Sequence, residues 1–480
     1  MTSTPKLDQL TFTRFLAALS VLFFHGGRQW GILAYFPMLT SGTTAVSYFY
    51  VLSGFVMTIA YHHRPKDWVH LGRYMLARFS RIYPVYLLSF VLTCIYYIDL
   101  IAKTKPREIL VNVLLIQAWF PEYVQSFNIA AWSLSVEVFF YLIFPFLLIG
   151  ISKLSHRTVL FSILAFWGMS QLAYSTFMIV KPDDLYWLAY FPLFHLNAFL
   201  VGVAGGVWFL LDDAHREEKT SVSVSLVFLS LAVVLLLLSL REYVPAYFRN
   251  MPLDVGLLAP FFLILILALA ADRSHLSKIL GHPRLVLLGD ASYALYILHI
   301  PCRWILEKIL SNTGMPVSSN FLFGIYAVAA IFLSLGVFKY FEHPVRDWFR
   351  RNPYMVLLMV FDGLMIAGMI ALAYQLRLGD GVAGFLRTRN FSVRAGVVLL
   401  FSSLVIFRYY VAPSWRVLVP AMLLGTTALT ILLYMGWGYG WVEGFPRPII
   451  LLLAFLVFIY FFFSRYVFCR FVPVRLTPPS

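Results

Sequence analysis

Ionisable side chains interrupt several long apolar segments of this sequence. In "RFLAALSVLFFH" (14–25), Arg14 and His25 enclose a run of apolar and small residues. In a helix, their spacing of 11 residues returns both side chains to the same face, about 16 Å apart. An imidazole at such a place can act as a general acid or base near neutral pH. A lone pair of this kind is equally typical of a snorkelling arginine and a histidine that ends its helix before Gly26.

Two further apolar segments each carry one ionisable group. Glu137 lies in "AWSLSVEVFFYLIFP" (131–145), and His299 lies in "SYALYILHIP" (292–301). The topology predicted below brings His25, Glu137 and His299 to a similar depth on three helices. Two imidazoles and a carboxylate suit acid–base catalysis, in which the carboxylate fixes a tautomer or stabilises an imidazolium. The same groups could form the proton relay of a transporter.

Arginines cluster at one predicted helix end, in "RYMLARFSRIYP" (73–84), which contains Arg73, Arg78 and Arg81. Arg78 and Arg81 are three residues apart and therefore share a helical face. Guanidinium groups match phosphate oxygens bidentately, although basic residues at a helix end are more often a positive-inside anchor. Because Arg14 falls at the same predicted surface, the cluster favours a site for an anionic cytosolic ligand.

The segment "SYFYVLSGFVMT" (47–58) contains two adjacent small residues, Ser53 and Gly54. Gly54 would let another backbone or a slender ligand approach closely, and the alternative is ordinary small-residue helix packing. Ser53 is not favoured as a nucleophile, because no GxSxG elbow surrounds it. We therefore group Ser53, Gly54 and Tyr293 as residues that contact substrate or pack the helices.

The whole chain has the composition of a polytopic membrane protein. Of its 480 residues, 61% are hydrophobic and 12% are charged, and the mean hydropathy is +0.81. We expect the first span to be retained, because the polar start and the following apolar run carry no signal-cleavage pattern. The widely spaced Cys94, Cys302 and Cys469 support neither a disulfide framework nor a zinc site, so no metal is expected. The net charge of +15 fits loops against anionic lipid rather than nucleic acid, which is not an expected partner.

Apolar segments of about 20 residues predict transmembrane helices, since a lipid bilayer leaves few other ways to satisfy the backbone. The apolar stretch 109–119 is too short to cross and is interpreted as interfacial or re-entrant. A cytoplasmic N-terminus places the majority of the 37 Lys and Arg residues inside, and the C-terminus is then cytoplasmic too. The predicted spans begin near residues 12, 43, 82, 131, 158, 196, 222, 254, 285 and 320, followed by four more near 354, 396, 416 and 447.

Six short motifs resemble, in order along the chain, those of the acyltransferase 3 family of membrane acyltransferases over residues 7–350. They are Arg14-x10-His25, FYVLSGF (49–55), Arg78-x-x-Arg81, WSLSVE (132–137), SYALYILH (292–299) and FEHP (341–344). Any one of them would be weak in a chain so rich in leucine and phenylalanine, whereas six in family order make a specific match. The chain departs from the family pattern at Val138, His195 and Ala198, where an acidic residue, an arginine and a glutamate are usual.

This resemblance implies transfer of an acyl group, most often acetyl from acetyl-CoA, to a hydroxyl of a glycan or another acceptor. It also implies that His25 is the essential histidine and that Arg14 is its partner on the helix. Whether His25 would activate the acceptor hydroxyl or be acylated itself stays open, because imidazole can do both. The implied donor contacts are Arg14, Arg78, Arg81 and Arg73, and the implied supporting acid–base residues are Glu137 and His299.

We therefore predict an all-α, polytopic bundle of transmembrane helices. Residues 1–350 would form an acyltransferase core of ten spans, and residues 351–480 would add about four spans of unassigned role. The predicted function is an O-acyltransferase of a bacterial inner membrane that uses cytosolic acyl-CoA and an exported or lipid-linked glycan. The alternative is a transporter or flippase with a buried His/Glu relay. That class predicts Gly/Pro-interrupted helices in matched halves, which the sequence lacks.

Overall fold

The computed structural model describes residues 7–30, 37–62, 68–96, 106–181, 185–211, 220–240, 253–313 and 320–352. Throughout these ranges the regular structure is helical and contains no strand, which confirms the predicted all-α class. The chain divides into two compact units, one formed by residues 1–96 and 111–350 and the other by residues 97–110 and 351–480. The spans predicted near residues 354, 396, 416 and 447 lie outside the described ranges.

The helices of the described ranges are α1 (Asp8–Trp30), α2 (Thr44–Tyr61), α3 (Trp68–Tyr96), α4 (Pro106–Val113), α5 (Trp132–Ile151), α6 (His156–Val180), α7 (Leu185–Leu188), α8 (Pro192–Leu211), α9 (Thr220–Leu240), α10 (Ala259–Ala271), α11 (His275–Leu280), α12 (Pro283–Asp290), α13 (Ser292–Thr313), α14 (Asn320–Val337) and α15 (His343–Arg351). Short 3₁₀ segments lie at Pro37–Ser41, Gln117–Trp119, Ile129–Ala131 and Leu253–Val255. A π-helical turn at Phe338–Glu342 connects α14 to α15.

Seven helical stretches of the described chain are long and apolar enough to cross a membrane, and the bent pair α12–α13 would be an eighth if it forms one span. These helices make the chain a multi-pass membrane protein. Two further apolar helical stretches, Val224–Ser239 and Ala259–Ala271, are shorter. The span predicted near residue 254 therefore begins at Ala259, and its 13 residues are too few to cross a bilayer alone.

Helix α3 differs most from the prediction, because it begins at Trp68 rather than near residue 82. The basic stretch before Pro84 was expected to be part of a cytoplasmic segment, yet it forms the first half of this helix. Its inward face is buried, with Tyr74 at 4% exposure and Ser80 fully enclosed. A hydropathy window penalises each arginine in this stretch and cannot detect that the other face packs against neighbouring helices.

Glycines set the close contact between α2 and α8. A Cβ atom at Gly54 would lie 2.1 Å from the carbonyl oxygen of Phe199, and one at Gly202 would lie 2.0 Å from that of Val51. No side chain fits at either position without a backbone shift. Gly54 therefore has the small-residue packing role that the sequence left as one alternative.

Helix α1 contacts α12 near its start and α13 nearer its end. A Cβ atom at Gly289 of α12 would lie 2.0 Å from the carbonyl oxygen of Thr11. Arg303 Nη1 of α13 donates a hydrogen bond of 2.8 Å to the carbonyl oxygen of His25. These two contacts fix the position of α1 along the bent pair α12–α13, in which His299 of α13 faces His25.

Most of the segment between α4 and α5 is buried or half-buried, although Leu114, Pro121 and Glu122 are exposed. Leu115 and Phe127 have φ angles of 56° and 59°, a region that non-glycine residues rarely adopt. Asn128 is 2% exposed, and its Nδ2 donates to the carbonyl oxygen of Ile297 at 2.7 Å. Gln117 Nε2 donates to the carbonyl oxygen of Ala131 at 3.1 Å. These bonds anchor the first turn of α5 beside α13.

Candidate active site

The structure brings together two of the predicted acid–base residues. His25 Nδ1 lies 3.0 Å from His299 Nε2, and the planes of the two rings differ by 25° with centroids 5.1 Å apart. His299 is fully buried, whereas His25 is half-buried. The two histidines therefore form one hydrogen-bonded unit, called the imidazole pair below.

Backbone geometry determines where the protons of the imidazole pair lie. His299 Nδ1 is 2.7 Å from the carbonyl oxygen of Tyr296. A carbonyl oxygen only accepts, so His299 Nδ1 carries a proton, and the Nε2 atom of the neutral ring is an acceptor. His25 Nδ1 must then donate to His299 Nε2, which leaves the lone pair of His25 on its own Nε2. In this tautomer His25 is equipped to take a proton from an incoming hydroxyl.

An elongated cavity of about 190 Å³ lies between α1, α2, α3, α5 and α13. Its lining residues on α2 extend from Val46 to Met57, a rise of about 16 Å along a helix. One end of the cavity, the arginine end, is lined by Arg14, Arg78, Arg81, Glu137 and Tyr141. The other end, the tyrosine end, is lined by Phe49, Tyr50, Ser133 and Tyr296.

Arg78 lies among three tyrosine rings at the arginine end. Its guanidinium carbon is 5.5 Å from the ring centroids of Tyr61 and Tyr141 and 6.0 Å from that of Tyr74. Its Nη2 also donates to the Tyr61 hydroxyl at 3.2 Å. Cation–π contacts of this kind hold a guanidinium plane in place without neutralising its charge. The Nε atom is buried and has no hydrogen-bond partner in the described chain.

Glu137 lies with the arginines rather than in the imidazole pair. It is half-buried and accepts a short hydrogen bond from the Tyr141 hydroxyl. Arg14 is within electrostatic range of Glu137, Arg81 and Asp290. From the sequence we expected this carboxylate to fix a histidine tautomer or to stabilise an imidazolium. In the structure, the group bonded to His299 Nδ1 is a backbone carbonyl oxygen, that of Tyr296. The position of Glu137 is suited to setting the charge of the arginine end.

The other predicted residues take several positions. Ser53 lines the cavity, and its hydroxyl contacts Met57 Sδ at 3.6 Å. Tyr293 also lines the cavity, and its hydroxyl donates to the carbonyl oxygen of Ile82 at 2.6 Å. Arg73 is exposed on α3 and is not among the residues that line the cavity. Ser53 and Tyr293 are thus placed where a ligand could touch them.

Three residues of this region were not selected from the sequence. Tyr296 and Ser133 line the tyrosine end of the cavity, and Arg303 bonds the backbone of His25. Tyr296 and Arg303 lie three and four residues from His299, so helical spacing alone would have placed all three on one face. Ser133 lies inside the WSLSVE motif, but nothing in the sequence indicates that its hydroxyl meets α13.

His195, which replaces a usual arginine of the family pattern, is fully buried behind the tyrosine end. Its ring centroid lies 5.4 Å from that of Tyr50 and 5.2 Å from that of Trp132. Its Nε2 lies 2.9 Å from the carbonyl oxygen of Ala189, to which it must donate. The histidine therefore supports the aromatic wall of the cavity.

The fold and the site define a class: a multi-pass helical membrane protein with a hydrogen-bonded histidine pair beside a cavity that arginines line at one end. A family model described as "Acyltransferase domain", of the acyltransferase 3 type, matches residues 7–339. The chain therefore belongs to this acyltransferase family, and the resemblance drawn from the six motifs is confirmed.

Curated relatives have names that agree with this family. The peptidoglycan O-acetyltransferase OatA of Listeria monocytogenes is 26% identical over 363 residues, which are 71% of this chain and 56% of that protein. The acyltransferase MdmB of Streptomyces mycarofaciens is 28% identical over 330 residues, 61% of this chain and 78% of its own length. A putative O-acetyltransferase of Staphylococcus aureus is 24% identical over 364 residues, 71% of this chain and 57% of that protein. The match thus spans little more than half of the first and third relatives. No solved structure matches the chain.

Proposed function

We propose that the protein is an integral membrane O-acyltransferase that moves an acetyl group from cytosolic acetyl-CoA to a hydroxyl of an exported or lipid-linked glycan. The observation that carries this proposal is the cavity itself. It extends from three arginines to Tyr296, whose carbonyl oxygen binds His299 of the imidazole pair. This arrangement supports an anionic donor held at the arginine end, with its reacting end at Tyr296 and the imidazole pair next to that tyrosine.

The arginine end fits the phosphate groups of an acyl-CoA. Of the charged residues that line this end, Arg14, Arg78 and Arg81 are cationic and Glu137 is anionic, so the lining itself carries a net positive charge for an anion. Two carboxylates outside the lining, Asp290 and Glu342, are also within electrostatic range of Arg14. Two buried donors that line the cavity, Arg78 Nε and Ser292 Oγ, have no hydrogen-bond partner among the described residues. Buried hydrogen-bond donors are normally paired with an acceptor. The unpaired Arg78 Nε and Ser292 Oγ therefore favour a ligand that accepts hydrogen bonds from them. Arg73 lies nearer the start of α3, where it could meet the nucleotide at the surface.

The narrow remainder of the cavity fits the pantetheine arm of the donor. Its walls between the two ends are largely apolar and include Leu52, Val56 and Leu134. A slender chain of about 16 Å could pass between them and present its thioester at the tyrosine end. The bias of Lys and Arg in the loops supports a cytoplasmic arginine end. The bacterial sources of the relatives support a bacterial inner membrane as the site of this chemistry.

The imidazole pair supplies the base for transfer. His25 Nε2 would take the proton of the acceptor hydroxyl as the hydroxyl oxygen attacks the thioester carbon. The imidazolium so formed donates through Nδ1 to His299 Nε2, and the Tyr296 carbonyl holds His299 in the accepting tautomer. The names of the relatives, a peptidoglycan O-acetyltransferase and a putative O-acetyltransferase, support acetyl as the group and a glycan as the acceptor.

Transfer of labelled acetyl groups tests the proposal. Membranes with the wild type, His25→Ala or the control His156→Ala would receive acetyl-labelled acetyl-CoA and glycan and lipid extracts of the producing cell. His156 is an exposed histidine at the start of α6, so its loss leaves the base intact. We expect wild type and His156→Ala to label the same acceptor fraction. His25→Ala should fall at least about 100-fold, the usual contribution of a general base.

Two outcomes would contradict the proposal. Equal labelling by His25→Ala and wild type would remove the histidine from the reaction. Movement of an unmodified solute across the membrane, without a covalently labelled acceptor, would instead support the transporter class with a histidine relay.

A further inference from the structure

The cavity ends at a pair of buried hydroxyl groups. Tyr296 Oη lies 2.7 Å from Ser133 Oγ. The carbonyl oxygen of Ala130 is 3.0 Å from Ser133 Oγ and 3.2 Å from Tyr296 Oη. Ser133 is 4% exposed and Tyr296 is 6% exposed, and both line the cavity. A phenylalanine would fill the same space, so the hydroxyl of Tyr296 needs a reason beyond packing.

Tyr296 separates the cavity from the imidazole pair. Tyr296 lines the cavity, its ring centroid lies 6.2 Å from that of His299, and its carbonyl oxygen accepts from His299 Nδ1. Neither histidine is among the residues that line the cavity, so Tyr296 connects the cavity wall to the imidazole pair.

The proton count shows that one hydroxyl can turn toward a ligand. Ser133 can donate to the Ala130 carbonyl at 3.0 Å, and the proton of Tyr296 then goes to Ser133 Oγ. A negatively charged oxygen in the cavity would be a stronger acceptor than this neutral serine hydroxyl. Tyr296 could rotate its O–H toward such an oxygen, and Ser133 would keep its own bond to Ala130.

The surroundings of the hydroxyl pair are preorganised for negative charge. Ser133 is the second residue of α5, so the pair lies at the positive end of that helix dipole. Asn128 fixes the preceding turn, because its Oδ1 accepts from the Ala130 N–H at 3.0 Å and its Nδ2 bonds to α13. The phenolic oxygen can move little, which is what electrostatic stabilisation of a transition state requires.

We propose that Tyr296 is a catalytic residue that donates a hydrogen bond to the thioester carbonyl oxygen and stabilises the oxyanion formed in transfer. Ser133 is its positioning residue. The inference rests on the proposed function, since it assigns the reacting end of the donor to the tyrosine end of the cavity.

The acceptor oxygen bonds to the thioester carbon and gives its proton to His25 Nε2, while the carbonyl π electrons move to the oxygen that Tyr296 holds. Collapse of this tetrahedral species breaks the carbon–sulfur bond, and the leaving thiolate takes the proton from the His25 imidazolium. The products are the acyl ester and free CoA.

Kinetics of Tyr296→Phe in full-length protein in membranes test this role, with Tyr86→Phe as the matched control. Tyr86 is also a buried tyrosine whose hydroxyl donates to a backbone carbonyl, that of Asn112 at 2.7 Å, but it does not line the cavity. With labelled acetyl-CoA and the acceptor fraction that the wild type labels, we expect kcat of Tyr296→Phe to fall about 100-fold. Acetyl-CoA binding should stay unchanged, and Tyr86→Phe should keep its kcat.

Ser133→Ala tests the same role if Tyr296→Phe fails to fold. We expect the kcat of Ser133→Ala to fall about tenfold while its binding of acetyl-CoA stays unchanged. An unchanged kcat in the folded variants would overturn the inference alone. So would an equal loss of donor binding, or an acetyl label recovered covalently on Tyr296 of the wild type. A wild type that labels no acceptor from acetyl-CoA would instead overturn the proposed function and the inference with it.

Discussion

At the scale of single residues, the proposed chemistry depends on how a neutral imidazole pair is held in one tautomer. The carbonyl oxygen of Tyr296 fixes the proton on His299 Nδ1, and His299 in turn fixes the proton on His25 Nδ1. A backbone carbonyl cannot titrate, so this arrangement does not depend on the ionisation of a neighbouring carboxylate. Arg303 adds a bond to the His25 carbonyl oxygen and thereby fixes the position of the base along α1.

Glu137→Gln tests the role of the carboxylate at this scale. The amide can still accept from the Tyr141 hydroxyl, but it removes the negative charge that faces Arg14. We expect transfer to fall less than tenfold and acetyl-CoA to bind at least as tightly as to the wild type, because a net positive charge is added beside the phosphates. Transfer rates and equilibrium binding in membranes would measure both. A loss of transfer as large as that of His25→Ala would mean that Glu137 belongs to the acid–base machinery.

Residue types alone predicted part of this site. Arg14, Arg78 and Arg81 were expected to share one surface, and they do line one end of a cavity. The partner of His299 could not be read from the sequence, because a carbonyl oxygen is present at every position and only tertiary geometry selects one. The tyrosine cage of Arg78 was equally invisible, since Tyr61, Tyr74 and Tyr141 come from three different helices.

At the scale of helices, close backbone contacts determine which side chains meet. Gly289 brings α12 against α1, and Gly54 and Gly202 bring α2 against α8. In a membrane, helices gain little from hydrophobic burial against each other, so small residues that allow close packing contribute much of the association. Periodicity predicted that these helices exist, but it could not predict these crossings or the early start of α3, which depend on the neighbouring surfaces.

Gly54→Ala measures the importance of the crossing between α2 and α8. The added methyl group would lie 2.1 Å from the carbonyl oxygen of Phe199, so the helices must separate. We expect a loss of about 1–3 kcal/mol in stability, the usual cost of overpacking, seen as a lower midpoint of thermal unfolding in detergent. Gly168→Ala in α6 is the matched control, because nothing lies within 4 Å of its added Cβ. Equal midpoints for the two variants would show that the crossing tolerates a wider spacing.

At the scale of the whole molecule, the described helices present large apolar side chains outward, whereas the ionisable groups of the candidate site, Arg14, Glu137 and His299, are buried or half-buried. Phe161, Leu172 and Phe321 are 75%, 69% and 76% exposed, as expected for side chains that face lipid. The cavity lies within this bundle and connects groups on α1, α2, α3, α5 and α13. The sequence predicted the membrane class from composition and the family from six motifs. Hydropathy alone does not determine the number of membrane spans. Helices α9 and α10 and the bent pair α12–α13 are close to the minimum length that a helix needs to cross the membrane.

The most direct test of the account is a paired measurement of acetyl-CoA binding and acetyl transfer in Arg78→Ala and His25→Ala. The account assigns donor binding to the arginine end and proton transfer to the imidazole pair. It therefore predicts that Arg78→Ala binds acetyl-CoA at least about tenfold more weakly, whereas His25→Ala binds as the wild type does and transfers nothing. Indistinguishable binding by the two variants would contradict this division of roles along the cavity.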